Sequence, residues 1–171
     1  FDKMVASYAS ALGASGDTPA ALSTLAGIIQ NDGLYIPVTK FYEIDFAKNT
    51  PYELDFHAGK PVPSRVLPAE ITSILRREMQ LVVAEGTARR AFNSVVLSDG
   101  TILPVGAKTG TGDNRMQTFN AHGGVTSSNA KSRTATFVYT IDDRFFGCVT
   151  AYVDGPSAGK FKFTSALPAQ V

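Results

Sequence analysis

Four consecutive residues have the types and spacing to do chemistry: Lys108, Thr109, Gly110 and Thr111, which follow the apolar letters LPVGA. A lysine supplies a positive charge, threonine hydroxyls can donate hydrogen bonds to an anion, and a glycine leaves the backbone open to close approach. A strand end that binds a substrate would need these properties. A polar turn without any ligand is the competing interpretation.

Other reactive side chains are less informative. His57 and His122 lie in polar segments, His57 in a predicted surface loop and His122 close to the predicted site, and both are interpreted as structural. Asp142 and Asp143 are neighbours in a turn signal, where adjacent side chains point apart. A Gly-x-Gly string lacks the third glycine of a phosphate-binding fingerprint. No His, Cys and carboxylate cluster has metal-ligand spacing, so neither a metal nor a cofactor is predicted.

Composition excludes several classes of protein. The 171 residues suit one domain, and a net charge of +1 without a Lys/Arg stripe argues against nucleic-acid binding. No apolar run approaches the roughly 18 residues of a membrane helix. Cys148 is the single cysteine, so no internal disulfide is expected. Because the first residue is Phe1, the chain is interpreted as a mature product or a piece of a longer protein.

Two segments carry helix signals. Thr18 can cap a helix that has Pro19 in its first position and ends at Asn31-Asp32-Gly33. A longer helix is predicted from Pro68, in its first position, to Gly86. Its predicted buried stripe is Ile71, Ile74, Leu75 and Val82. Its predicted outward-pointing residues are Arg76, Arg77 and Glu85.

The remaining segments predict strands and turns. Residues 34–66 are typical of short edge strands and a turn-rich connector, and Thr87 can cap a short helix that runs through Phe92. An Asp-Gly turn precedes a strand in LPVGAKT, and residues 112–133 are predicted to form a long polar loop. TATFVYTI and FFGCVTAYV then predict a hairpin, and FTSALPAQV the start of a helix.

This order of elements predicts an α/β (α+β) fold in which helices flank an antiparallel sheet. The order of motifs resembles the C-terminal part of the transpeptidase domain of penicillin-binding proteins. The similar strings are ALGASGDTPAALSTLAGIIQNDG, which is most similar to the bifunctional class A branch, then Glu85-Gly86-Thr87-Ala88, then Lys108-Thr109-Gly110-Thr111. The resemblance implies that residues 1–171 are one incomplete domain with the penicillin-binding/β-lactamase-like transpeptidase fold.

The resemblance also implies a function: a serine acyl-enzyme D-Ala-D-Ala transpeptidase that cross-links peptidoglycan and binds β-lactams. Its site is built from Ser-x-x-Lys, Ser-x-Asn and Lys-Thr-Gly. Lys108 and Thr111 would then be catalytic, through a positive field and one oxyanion-hole N–H. Thr109 and Thr111 would bind the substrate carboxylate, and Gly110 would let a peptide lie along the strand. Asn114 is a candidate contact to the stem peptide, with a solvated turn as the alternative.

The first two motifs of that family have no convincing match in this chain. Ser128 with Lys131 and Ser157 with Lys160 have the Ser-x-x-Lys spacing, but both pairs follow Lys108 and fall in predicted loops. About one such string is expected by chance in this length. We therefore expect both missing motifs in an upstream part of the same protein.

The chain also departs from the family pattern. It contains no Trp, although the family usually has Trp-Phe-x-Gly soon after Lys-Thr-Gly; Phe119 or His122 with its glycines could take that place. This departure motivates an alternative function, a non-catalytic penicillin-binding, peptidoglycan-binding or sensory module. A β-lactamase or carboxypeptidase is a weaker third reading of the same fold. The resemblance implies an extracytoplasmic location with a membrane anchor outside this chain.

Overall fold

A three-stranded antiparallel sheet is the centre of the structure, a computed structural model that describes residues 6–11, 13 and 16–171. The α-helices are α1 (Tyr8–Ala11), α2 (Pro19–Gln30) and α3 (Ala69–Ala84). The strands are β1 (Leu34–Tyr35), β2 (Glu43–Phe46), β3 (Leu54–His57), β4 (Ser64–Arg65), β5 (Val105–Phe119), β6 (Val125–Ile141) and β7 (Phe145–Asp154). Short 3-10 helices span Arg89–Ala91, Pro156–Lys160 and Pro168–Gln170.

The sheet has the strand order β5-β6-β7. β6 pairs with β5 along nearly its whole length, whereas β7 pairs with residues 132–141 of β6 alone. The predicted hairpin around Asp142 is confirmed, and Asp142 has the positive φ of a tight turn. The short strands form two further ladders, β1 with β4 and β2 with β3. His57 ends β3 opposite Glu43, so its placement in a loop was wrong.

Helices α2 and α3 pack on the same face of the sheet. A Cβ on Gly106 of β5 would lie 3.2 Å from the Cβ of Met79 in α3. Phe146 of β7 contacts Gly27 of α2, and the register places Phe146 and Gly106 on one face. The opposite face is covered by the segment that follows α3. The core cluster there contains Ala88, Ala91, Val105, Ala107 and Phe137, joined by Val83.

Helix α2 begins and ends where its sequence predicts. The N–H of Ala21 donates to the Thr18 hydroxyl at 3.2 Å, which makes Thr18 the N-cap. Gly33 has φ +86 and lies against the carbonyl of Leu67, so a side chain there would collide with the backbone. Thr18 and Gly33 therefore mark the two ends of α2, as the sequence predicts.

Helix α3 has the predicted bounds within two residues, with Pro68 as N-cap, but the predicted buried face was wrong. Its buried residues are Thr72, Met79 and Val83. The predicted stripe is exposed at Ile71, Ile74 and Leu75 and partly buried at Val82. Arg76, predicted to point away, is partly buried and contacts the end of α2. The helix has apolar residues on two sides. The side with Met79 is the buried one because the missing side chain of Gly106 lets α3 approach β5 closely there.

The predicted loop at residues 112–133 was also wrong. Those residues form the outer halves of β5 and β6, joined by a turn at residues 120–124. A strand is recognised in a sequence when apolar and polar residues alternate. This segment is polar on both faces because neither face is buried, so it carries no such signal. The predicted helix start in the tail is a single 3-10 turn, Pro168–Gln170. The Asp-Gly turn is confirmed, with Gly100 at φ +85 and a bridge between Val96 and Ile102.

Candidate functional site

The string at residues 108–111 lies on β5 with part of its backbone turned away from β6. The N–H of Asp142 donates to the carbonyl of Pro104 at 2.8 Å, which makes positions 104 and 142 a hydrogen-bonded pair. Hydrogen-bonded and non-bonded pairs alternate along an antiparallel ladder. Thr109 and Thr111 are therefore non-bonded positions, and their N–H and C=O groups point away from β6.

We call the side of β5 that faces away from β6, from Thr109 to Thr111, the open edge. In the described part of the chain, β6 is the one strand that pairs with β5. Ala107 is completely buried, whereas Lys108, Gly110 and Thr111 are exposed and Thr109 is half-buried. The uncovered part of the strand thus begins at the Lys-Thr-Gly string, and its backbone donors and acceptors are available to an added peptide.

The Lys108 ammonium lies at the open edge. Its Nζ donates to the carbonyl oxygen of Thr109 at 2.7 Å, and that carbonyl points away from β6. The positive charge is therefore held beside the backbone groups that an added peptide would meet. A carboxylate or a developing oxyanion near this edge would be stabilised by the charge.

The hydroxyls of Thr109 and Thr111 lie on the sheet face opposite Gly106, because side chains alternate along a strand. Both contact other parts of the chain. Thr109 Oγ1 lies 2.5 Å from Thr87 Oγ1, and Thr111 Oγ1 accepts from the N–H of Ser165 at 3.1 Å. Thr87 was predicted to cap the next helix, which was wrong: the 3-10 turn after it has Ala88 as N-cap without a side-chain cap bond.

Gly110 leaves space beside the strand. A Cβ built there would meet nothing closer than the Cβ of Thr136, at 3.9 Å. The surface over Gly110 is therefore open. The solvated turn given as the alternative for Asn114 was wrong, because Asn114 lies within β5 and its amide donates to Ser132 Oγ at 2.8 Å. This bond turns the Asn114 side chain towards β6.

Neither Ser-x-x-Lys string has the surroundings of a nucleophile. Ser128 lies on β6, and its hydroxyl accepts from Arg115 Nε at 2.8 Å rather than contacting Lys131. Ser157 is exposed in the 3-10 turn Pro156–Lys160, as is Lys160. A serine nucleophile needs a base within hydrogen-bond reach, and neither hydroxyl has one here.

His122 is far from the candidate site, although it was predicted to lie near it. It sits in the turn between β5 and β6, where its N–H donates to Asn120 Oδ1. Phe119 lies eleven residues after Lys108 on the same strand, so the two are roughly 35 Å apart. Phe119, His122 and the neighbouring glycines therefore do not lie beside Lys108.

Thr87 and Ser165 are the contacts to the site that sequence reasoning missed. Thr87 belongs to the string Glu85-Gly86-Thr87-Ala88, but its bond to Thr109, 22 residues away, has no signal in the local sequence. Ser165 is 54 residues from Thr111, and no local pattern marks it. Among the described residues, no group of three His, Cys or carboxylate side chains could hold a metal ion. None of the described helices is long and apolar enough to cross a membrane.

Comparisons with known proteins identify the fold through solved structures. No protein-family model matches the sequence, and no curated protein sequence matches it significantly. Penicillin-binding protein 3 from Mycobacterium tuberculosis, solved in complex with ampicillin, superposes with a TM-score of 0.55 at 20% identity over 90% of this chain and 33% of that chain. The D,D-transpeptidase domain of a peptidoglycan glycosyltransferase from Eggerthella lenta gives 0.54 at 16% identity, over 86% and 28% of the two chains.

The fold of this chain is thus that of the penicillin-binding protein transpeptidase domain, as the sequence resemblance predicted. PBPA from Mycobacterium tuberculosis agrees, with a TM-score of 0.53 at 14% identity over 90% of this chain. The chain spans about a third of the length of these relatives, 31% of PBPA for example. The predicted antiparallel sheet with flanking helices is confirmed, and this chain corresponds to a part of those structures.

Proposed function

We propose that this chain forms the Lys-Thr-Gly wall of a serine acyl-enzyme D-Ala-D-Ala transpeptidase that cross-links peptidoglycan and reacts with β-lactams. One observation carries the proposal: on this fold, the Lys108 ammonium and the outward-pointing backbone of Thr109 and Thr111 share one open edge. A peptide could add to that edge as a strand, with its carbonyl beside the positive charge.

Each residue of the site would have a separate role in the reaction. The peptide's D-Ala-D-Ala end pairs with the open edge over Gly110, and Thr109 and Thr111 hold its terminal carboxylate. A serine from the upstream part of the protein attacks the penultimate carbonyl while the lysine of its Ser-x-x-Lys motif takes the hydroxyl proton, and the N–H of Thr111 donates to the oxyanion. Collapse of that intermediate breaks the peptide bond, returns the proton to the leaving nitrogen of D-alanine and leaves a serine ester. The amine of a second stem peptide then attacks the ester, forms the cross-linking amide and restores the serine hydroxyl. Lys108 stabilises negative charge throughout and takes no part in bond making. Asn114, bonded to β6, is proposed as a support of the strand next to the stem peptide.

The first test compares two lysines. In the longest natural product of the gene, Lys108→Ala should slow acylation by a β-lactam about 100-fold, because it removes positive charge from the oxyanion site. Lys131→Ala is the matched control, since Lys131 is an exposed lysine on the same sheet outside the site. Its rate should equal that of the wild type. Equal rates for both variants would refute the proposed role of this edge.

A second candidate is a binding module that holds stem peptides or β-lactams without reaction. It is favoured by the two serines that have the Ser-x-x-Lys spacing, Ser128 and Ser157, because neither has the surroundings of a nucleophile. Intact mass after incubation with a β-lactam separates the two functions. If the protein is an enzyme, the longest natural product of the gene should gain the mass of the drug, and this chain alone should not. Non-covalent binding without a mass gain in either would favour the module.

The proposed function also implies binding partners and a cellular location. Its partners are the peptidoglycan stem peptide, β-lactams, and the upstream part of the protein with Ser-x-x-Lys and Ser-x-Asn. Peptidoglycan lies outside the cytoplasm, so the protein would act in the periplasm or at the cell surface. A membrane anchor would lie outside this chain.

A further inference from the structure

The two threonine hydroxyls beside the open edge are both held by hydrogen bonds from elsewhere in the chain, and the direction of those bonds matters. A hydroxyl has one proton to donate and two lone pairs to accept with. Thr111 Oγ1 accepts from the backbone N–H of Ser165, which cannot itself accept. The proton of Thr111 therefore remains available to donate to an anion.

The direction of the second bond is not fixed by its geometry. Thr87 and Thr109 share a single hydroxyl-hydroxyl bond of 2.5 Å, in which either oxygen can be the donor. If Thr109 donates, it presents lone pairs to an approaching carboxylate and repels it. If Thr87 donates, the proton of Thr109 is free, and Thr109 and Thr111 become two donors on one face of β5.

We propose that Thr87 is a positioning residue that donates its hydroxyl proton to Thr109, and thereby turns Thr109 into a donor for the carboxylate of the ligand. The assignment rests on the proposed function, since it needs an anionic ligand at the open edge. It extends that function to a residue on another element, 22 positions away along the chain.

The backbone on both sides of Thr87 is held in place. A Cβ on Gly86 would lie 2.8 Å from the carbonyl oxygen and 2.9 Å from the Cα of Val82, so a glycine is needed where the chain leaves α3. Ala88 is completely buried, and its N–H donates to the carbonyl of Val82 at 3.2 Å. Thr87 is therefore fixed between two anchored neighbours, and its β-branched side chain has few rotamers with which to leave Thr109.

The test measures the rate constant of β-lactam acylation for three proteins, each as the longest natural product of the gene: wild type, Thr87→Val and Thr87→Ser. Valine keeps the shape of threonine without the hydroxyl, and serine keeps the hydroxyl. The probes are benzylpenicillin and its methyl ester, which lacks the negative charge. Thr87→Val should lose about tenfold in rate with the acid, because the Thr109 hydroxyl loses the bond that aims its proton at the carboxylate and so weakens one hydrogen bond to a charged group. It should change little with the ester, and Thr87→Ser should restore most of the rate.

The difference between acid and ester separates positioning from general damage. A variant that merely distorts the sheet would lose the same factor with both probes, and that result would overturn the proposal. Failure of serine to restore the rate would overturn it as well. Thr87→Ala, measured in the same way, provides a second variant if the valine protein does not fold.

Lys108→Ala in the same experiment distinguishes this proposal from the one it rests on. If Lys108→Ala slows acylation and Thr87→Val reacts with the acid like the wild type, the role of Thr87 is wrong and the proposed function stands. If the wild type is not acylated, both are wrong.

Discussion

The inner and outer halves of β5 pair with the same neighbouring strand but are held in different ways. In the inner half, Val105 and Ala107 are buried in the core cluster and Gly106 lies against α3. In the outer half, Met116 and Phe119 are more than half exposed, at 56% and 59%. The candidate site lies at the exposed end of the inner half, so a rigid support positions it while its own surface stays accessible.

The outer half is held chiefly by hydrogen bonds. Arg115 donates to the hydroxyl of Ser128 at 2.8 Å and to its carbonyl at 3.1 Å, and Thr118 bonds Thr126 at 2.8 Å. Water competes for such exposed groups, so each bond contributes about 1 kcal/mol or less. The inner half is held by buried side chains and the outer half by exposed polar pairs. Matched substitutions in the two halves should therefore lower the free energy of unfolding by different amounts.

The largest effect is expected at Gly106. Valine at this position would place its Cβ 2.7 Å from Thr140 Oγ1 and 3.2 Å from Met79 Cβ, inside a packed interface. We expect a loss of about 3 kcal/mol in the free energy of unfolding. For a protein of this size that lowers the melting temperature by about 9 °C. Thermal unfolding followed by circular dichroism measures the shift.

Gly110→Val is the matched control on the same strand. Its Cβ would meet only Thr136 Cβ, at 3.9 Å, so the melting temperature should stay near that of the wild type. Acylation should nevertheless slow, because the side chain would occupy the surface over which the peptide lies. Equal destabilisation by the two valines would show that α3 does not hold the inner half as described.

The next largest effect is expected at Arg76, which supports the inner half through the helices. Its guanidinium donates to the carbonyl of Gln30 at 3.1 Å and pairs with Asp32 at 2.6 Å, so it joins α3 to the end of α2. Arg76→Ala should lower the free energy of unfolding by about 1–2 kcal/mol. Arg115→Ala, which removes the outer half's arginine, should lower it by about 0.5 kcal/mol. Chemical denaturation of both variants decides whether the order is correct.

The same comparison explains what could be predicted from the sequence. Thr18, Pro19 and Gly33 act within a few residues of themselves, so α2 was predicted with both of its ends. The strand that carries Lys108 was recognised because an apolar run leads into it. The outer half was mistaken for a loop, since its side chains are polar on both faces.

The errors at α3 and at the site have a different cause. Which apolar side of α3 is buried depends on the close approach of Met79 to Gly106, a contact between distant parts of the chain. The bonds of Thr109 and Thr111 to Thr87 and Ser165 are likewise non-local. The residue types of the site were accessible from sequence. The direction in which their backbone and hydroxyl groups point required the register of β5 against β6.

A small effect is also expected from removing most of the outer halves of β5 and β6. Replacing residues 116–129 by Asn-Gly would join Arg115 directly to Ala130, its partner in the ladder, through a two-residue hairpin turn. None of the core residues lies in the removed segment, so the melting temperature should change by no more than about 3 °C. Acylation should also persist, because the open edge from Thr109 to Thr111 is retained. A large drop in stability would mean that the outer half supports the inner half. A loss of acylation at unchanged stability would show that the site includes residues of the outer halves of β5 and β6.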